Sequence, residues 1–233
     1  MHRKLAGDPS LELILRRTAR ARRFSLRVSR LDGRVTLSMP AGARESEAMA
    51  FAESQADWIR RAMSQAVAGC RVGLGEQIPC EGRMITLAAA SLRAPRIVGD
   101  LLLVPPDPAR AALRAAAFLK LQARQRLQAA SDHHAQVLGR RHGGIVLRDT
   151  RSRWGSCSAA GQLMYSWRLI MAPPPVLNYV AAHEVAHLAE MNHSADFWAV
   201  VRRLMPGYEQ PRRWLKTQGN TLHGYDFAGR ADD

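Results

Sequence analysis

The chain has 233 residues, 47% hydrophobic and 23% charged, an ordinary globular composition with room for one large domain or two small ones and no signature of disorder; 34 Lys and Arg against 20 Asp and Glu give a net charge of +14. No apolar run is long enough to span a membrane, and Leu11 to Leu15 is too short and too interrupted by Glu12 to be a signal-peptide core, so a cytoplasmic location is expected. Cys70, Cys80 and Cys157 are odd in number, widely spaced and without a C-x-x-C pair, which argues against both a disulfide framework and a cysteine zinc knuckle.

Residues 11 to 40 read as short strands. Leu11 to Leu15 is followed by Phe24, Leu26 and Val28 alternating with polar residues, then by Val35, Leu37 and Met39, with Asp32-Gly33 as the hairpin turn between the last two. The densest basic cluster, Arg16 to Arg23, reads as a solvated rim. No RNP, zinc-finger or helix-turn-helix pattern accompanies it, and only Lys4, Lys120 and Lys216 are lysines, a bias of composition rather than a polyanion footprint, so a nucleic-acid partner is not expected. From Glu45 to about Val67 the period becomes helical, with Ala48, Phe51, Ala52, Trp58, Ile59 and Met63 on one apolar stripe.

A second β-rich piece follows, with strands at Met84 to Leu87, Arg96 to Val98 and Leu101 to Val104 and a turn at Gly99-Asp100. Gly73-Leu74-Gly75 is too short and wrongly placed for a nucleotide fingerprint. Pro105-Pro106 marks the expected boundary between a portion 1–105 and a portion 106–225, with 226–233 as a tail whose last five residues fray. Asp107 and Pro108 then open a long helix that should end near Gly139; its His133 and His134 are adjacent and point apart, a poor metal pair. After a strand at Ile145 to Arg148 come Arg151 to Ser158, a turn at Ala160-Gly161, and a strand from Gln162 to Ile170 leading into the next helix. That strand is expected to be a sheet edge beside the site, able to take an extended peptide by backbone pairing.

Pro173-Pro174-Pro175 starts that helix, and within it lies Ala182-His183-Glu184-Val185-Ala186-His187, continuing to Glu190 and His193. Residues four apart share a helix face, so His183 and His187 can present two imidazoles to one metal, while Glu184 beside them can reach a water on it, as a general base must. A lone buried histidine is usually a core residue satisfied by a hydrogen bond. Two at this spacing around a Glu, on a helix with Val176, Val180, Val185 and Leu188 as apolar background, point to zinc. His193 is the expected third ligand, reached through a turn at Met191-Asn192 in which Asn tolerates a left-handed conformation. Glu190, about 10 Å along the axis from His183, is expected instead to orient a ligand imidazole. Ser194 caps a further helix carrying Phe197, Trp198, Val201 and Leu204, stopped by Pro206-Gly207.

With these residues located, the segment from Arg151 to Lys216 resembles the YgjP-like family of predicted zinc metallopeptidases, relatives of the WLM and SprT-type zincins. The resemblance is carried by Ser152-Arg153-Trp154-Gly155-Ser156-Cys157, Trp167-Arg168-Leu169-Ile170, Tyr179-Val180 before His183-Glu184, Asn192-His193-Ser194 and Phe197-Trp198; the order of elements upstream is similar too. Ser166 departs from it, standing where the family often carries Asn. The resemblance implies an α+β fold, a zincin-like core with a β-rich N-terminal portion, one Zn2+ per chain on His183, His187 and His193, and Glu184 as catalytic base.

The expected function is therefore zinc-dependent hydrolysis of a peptide or protein substrate by a water on the metal activated by Glu184. Arg153, Arg168 and Tyr208 are candidates for stabilising the oxyanion. Two rival readings keep the metal. One is a hydrolase of an anionic non-peptide substrate such as a nucleotide; the other is a binding module with a structural zinc closed by a fourth ligand such as His223.

Overall fold

The computed structural model describes residues 2–5, 8–29, 33–64 and 69–228, with only the backbone of Asp8–Ser10 and Ser64. The fold is α+β, in two compact units, Met1–Gly69 and Cys70–Asp233.

In the first unit β1 (His2–Leu5) runs antiparallel to β2 (Asp8–Thr18), which pairs in parallel with β4 (Val35–Pro40); β3 (Ser25–Val28) closes the sheet antiparallel to β4, in the order β1-β2-β4-β3. The alternation of β4 explains its seat, since Val35, Leu37 and Met39 are buried while Thr36 and Ser38 are half-buried. Of the expected turn, Gly33 has a left-handed φ of 68° and Asp32 lies outside the described residues. The single helix expected from Glu45 is two, α1 (Glu45–Ser54) and α2 (Ala56–Ser64), parted at Gln55, whose φ and ψ of −107° and 12° leave the helical region; 65–67 lie outside the described residues. Ala48, Ala52 and Ile59 are buried on the sheet, but Trp58 is 42% exposed and so does not belong to the core stripe.

The second unit begins with β5 (Cys70–Arg71) and a sheet of β6 (Gln77–Cys80), β7 (Arg83–Ala89), β8 (Arg96–Val98) and β9 (Leu101–Val104) in the order β6-β7-β9-β8. α3 (Pro108–Leu138) then crosses it. Ala111, Ala115, Leu119, Ala123, Leu127, Ser131 and Ala135, all buried, form one stripe at intervals of four, mostly alanine, which lets other elements approach the helix axis closely. Gly139, at φ 73°, ends it as expected. The boundary at Gly69, rather than at Pro105-Pro106, follows from packing. Ile78, Ile85, Leu87, Leu102 and Val104 share one core with α3 and with Val176 and Val180, so the two prolines end a strand without ending the core.

A three-stranded sheet of β10 (Ile145–Arg148), β11 (Gly155–Cys157) and β12 (Leu163–Ser166) carries the chain to α4 (Pro174–Ala186), α5 (Ala195–Leu204) and α6 (Glu209–Gln218). Two expectations fail here. The strand stops at Ser166, and Trp167–Met171 is a 3₁₀ segment, buried throughout, in which no period-two alternation operates. β12 is also no edge: it lies between β10, parallel, and β11, antiparallel, and so has no free side. The expected tail begins inside the fold, with β13 (Tyr225–Asp226) paired to β5 and Phe227 buried; 229–233 lie outside the described residues.

Candidate metal centre

α4 starts with prolines in its first turn, where a missing N–H costs nothing, and ends one residue before His187. The ending is tight. The amides of Leu188 and Ala189 donate to the carbonyls of Val185 and Ala186, and that of Glu190 also donates to Ala186, turning the chain back without any left-handed residue; Asn192 is not at positive φ, contrary to expectation. The Asn192 side-chain oxygen instead accepts from the Ser194 amide at 3.1 Å, and Ser194 Oγ accepts from the Phe197 amide at 3.3 Å as the cap of α5. His193 is thus held between an Asx turn and a helix cap.

The result brings His183, His187 and His193 together. Nε2 of His193 lies 3.1 Å from Nε2 of His183, the rings' centroids form a nearly equilateral triangle of 4.9 to 5.2 Å, and one nitrogen from each of the three lies within 4.8 Å of the others. Among the described residues these are the group able to hold a metal ion, and neither the Glu190 carboxylate nor His223 belongs to it. Tetrahedral zinc with bonds of about 2.1 Å sets its ligand nitrogens ~3.4 Å apart, so the donor set fits after small ring rotations. Glu190 does act on a histidine, but through its main chain: its carbonyl is 3.0 Å from His187 Nδ1, which fixes the proton on that nitrogen and leaves Nε2 free. Among the described residues His183 has no such orienter: its Nδ1 is buried with no partner there, and its ring is fixed by Tyr179, Phe197 and Trp198 at 5.9, 4.9 and 5.8 Å.

Phe197, fully buried, is the floor of the site, 4.5 to 4.9 Å from all three imidazoles. Trp198 stacks on Tyr208 and Tyr208 on Tyr179, making an aromatic wall. Burial first, then the neighbouring His187, His193 and Arg212, pushes His183 down to about 3, and burial also lowers His187, so both imidazoles are neutral donors near pH 7. Burial raises Glu184 to about 8, opposed by the charge of Arg153. The Glu184 carboxyl lies against Gly155 of β11, in space that no larger residue would leave. A cavity of about 230 Å³ joins these parts, lined by Trp154, Gly155, Tyr179, His183, Glu184 and Leu215 among others.

Sequence reasoning gives Leu215 no place at the site and assigns no role there to Trp154 and Tyr179, which it names only as carriers of the family resemblance. A signal existed for Tyr179, which precedes His183 by four residues and so shares its face; burial raises its hydroxyl to about 12. Of the proposed oxyanion residues, Arg168 is spent elsewhere, donating to both Asp149 oxygens at 2.7 and 3.1 Å and to the carbonyls of Leu222 and Tyr225. Tyr208 is buried in the aromatic wall, while Arg153 is exposed beside Glu184. His223 stacks on Trp154 at 4.8 Å.

A family model described as the YgjP-like metallopeptidase domain matches residues 22–218. Comparison with curated proteins gives no match. Among solved structures, the metallopeptidase zymogen abylysin of Pyrococcus abyssi is similar, with 22% sequence identity and a TM-score of 0.36 over 40% of this chain and 95% of that one.

Proposed function

We propose, for a chain that belongs to the YgjP-like metallopeptidase family, that it is a zinc-dependent peptidase in which His183, His187 and His193 hold one zinc ion and Glu184 is the general base. The observation that carries this reading is the convergence of three imidazole nitrogens within 4.8 Å, two of them neutral by burial, beside a buried carboxyl. When bound, zinc supplies a Lewis acid for the scissile carbonyl and makes water a stronger acid.

The rest of the work falls to the chain. Burial makes Glu184 a stronger proton acceptor than an exposed carboxylate, as a group that takes a proton from the attacking water and passes it to the leaving nitrogen must be. Phe197 and the aromatic wall exclude water from the back of the imidazoles. Tyr179, kept protonated, and Arg153 are the donors available for the developing oxyanion. The substrate backbone pairs with β11, the one of the sheet's two edge strands, β10 and β11, that lies against Glu184, and not with the central β12.

The test is a screen of the zinc-loaded protein against a peptide library and against nucleoside triphosphates, with Glu184→Gln in parallel. Hydrolysis of peptides, lost in the variant, supports the reading; hydrolysis of triphosphates alone overturns it. No helix among the described residues is long and apolar enough to cross a membrane.

A further inference from the structure

The cavity at the histidines does not end there. Trp154, Tyr179 and Leu215, which line it, also line a larger cleft of about 690 Å³ whose other wall is α6, with Arg212, Arg213 and Lys216. Arg212 is anchored on the site's aromatic wall, its guanidinium 4.3 Å from the centroid of Trp198. Arg212 and Lys216 are four residues apart and so share a helix face, an arrangement of like charges that opposes helix formation. Among the described residues none of the three cations pairs with a carboxylate within 4.0 Å, and all three are exposed. Among the described residues Glu209 is the one acid lining the cleft, leaving three cations against a single carboxylate.

We propose that this cleft is a carboxylate subsite, in which Arg212, Arg213 and Lys216 receive an acidic group of the peptide whose scissile bond lies at the histidines. The proposal rests on the peptidase reading and adds the substrate's charge to it. Two sources share this chemistry, an Asp or Glu side chain near the scissile bond and the carboxylate at the peptide's end. The cations attract either before contact and hold it by charge-assisted hydrogen bonds, and the widened cleft leaves room for a side chain beyond the metal cavity.

The test uses the full-length Glu184→Gln protein and fluorescent hexapeptides of one backbone, with Glu or Gln at each position in turn and with free or amidated C-termini. A Glu peptide with an amidated end should bind about tenfold more tightly than its Gln partner. That ratio should shrink toward one in Arg213→Gln/Lys216→Gln and grow in Glu209→Gln. A preference that follows the free C-terminus, and shrinks in the same variant, assigns the site to the terminal carboxylate. Equal binding of all peptides overturns the subsite, as does a nucleoside triphosphate that binds more tightly than any peptide and is lost in the same variant. The two readings fail separately. Wild-type zinc-loaded protein that cleaves Glu and Gln peptides equally keeps the peptidase and removes the subsite, whereas charge-selective binding without cleavage keeps the subsite and removes the peptidase.

Discussion

Gly155 leaves the space that Glu184 fills: a Cβ at position 155 would stand 2.5 Å from Glu184 Oε1 and 2.6 Å from its Cγ. The strand and the helix therefore meet at the carboxyl, and Gly155 sets where it points. Gly155→Ala should lower stability by about 1–3 kcal/mol, the usual cost of overpacking. It should also reduce turnover more than it reduces zinc content, because the three atoms nearest a Cβ at position 155 all belong to Glu184 and none to a histidine. Thermal unfolding, zinc analysis and peptide turnover on one preparation check this. Unchanged turnover would mean that the carboxyl's placement does not matter.

The contact of His187 with the main chain of Glu190 makes a prediction that separates two residues. Glu190→Ala keeps the carbonyl that holds His187 Nδ1 and should keep zinc, whereas His193→Ala removes a ligand nitrogen and should lose zinc to a chelator more than tenfold faster. Equal retention in both would show that His193 is not a ligand.

Protonation of His223 should be visible in stability. Burial first, then the charges of Arg168 and Arg151, pushes its imidazole down to about 4, against the pull of Asp149. Between that value and the unfolded value near 6.5 the unfolded chain binds more protons. The contribution is therefore present above about 6.5 and is lost as pH falls toward 4. His223→Phe keeps an aromatic ring on Trp154 and removes the titration. In the metal-free protein its loss of Tm from pH 7 to 4.5 should be smaller than the wild type's, by roughly 3 °C. Equal losses would show that His223 is not held neutral.

Much of the site was legible because it is local. His183, Glu184 and His187 are placed by one helical period, and Ser194 and Asn192 act on amides within three residues of themselves, so spacing alone brings them near one another. What stayed hidden depends on distant packing. Phe197 reads as an ordinary apolar position of an amphipathic helix, and only the fold puts it beneath three imidazoles. The position of β12 was misread because its partner β11 is three residues, Gly-Ser-Cys, with no alternation to mark a strand. The division at Gly69 was hidden for the same reason: Pro105-Pro106 is a strong local punctuation, but the core shared by the second sheet and α3 runs across it. Trp58 shows the converse, an aromatic at a helical spacing that the fold leaves exposed.

The central claim is that the three histidines bind and Glu184 reacts, and one paired measurement on Glu184→Gln tests it. Gln fills the same volume and cannot take a proton from water, so the variant should carry about one zinc per chain, as the wild type should, while peptide turnover falls about 10²–10⁴-fold. A variant that retains zinc and wild-type turnover would contradict the account, and one that loses zinc with its activity would place Glu184 in metal binding instead.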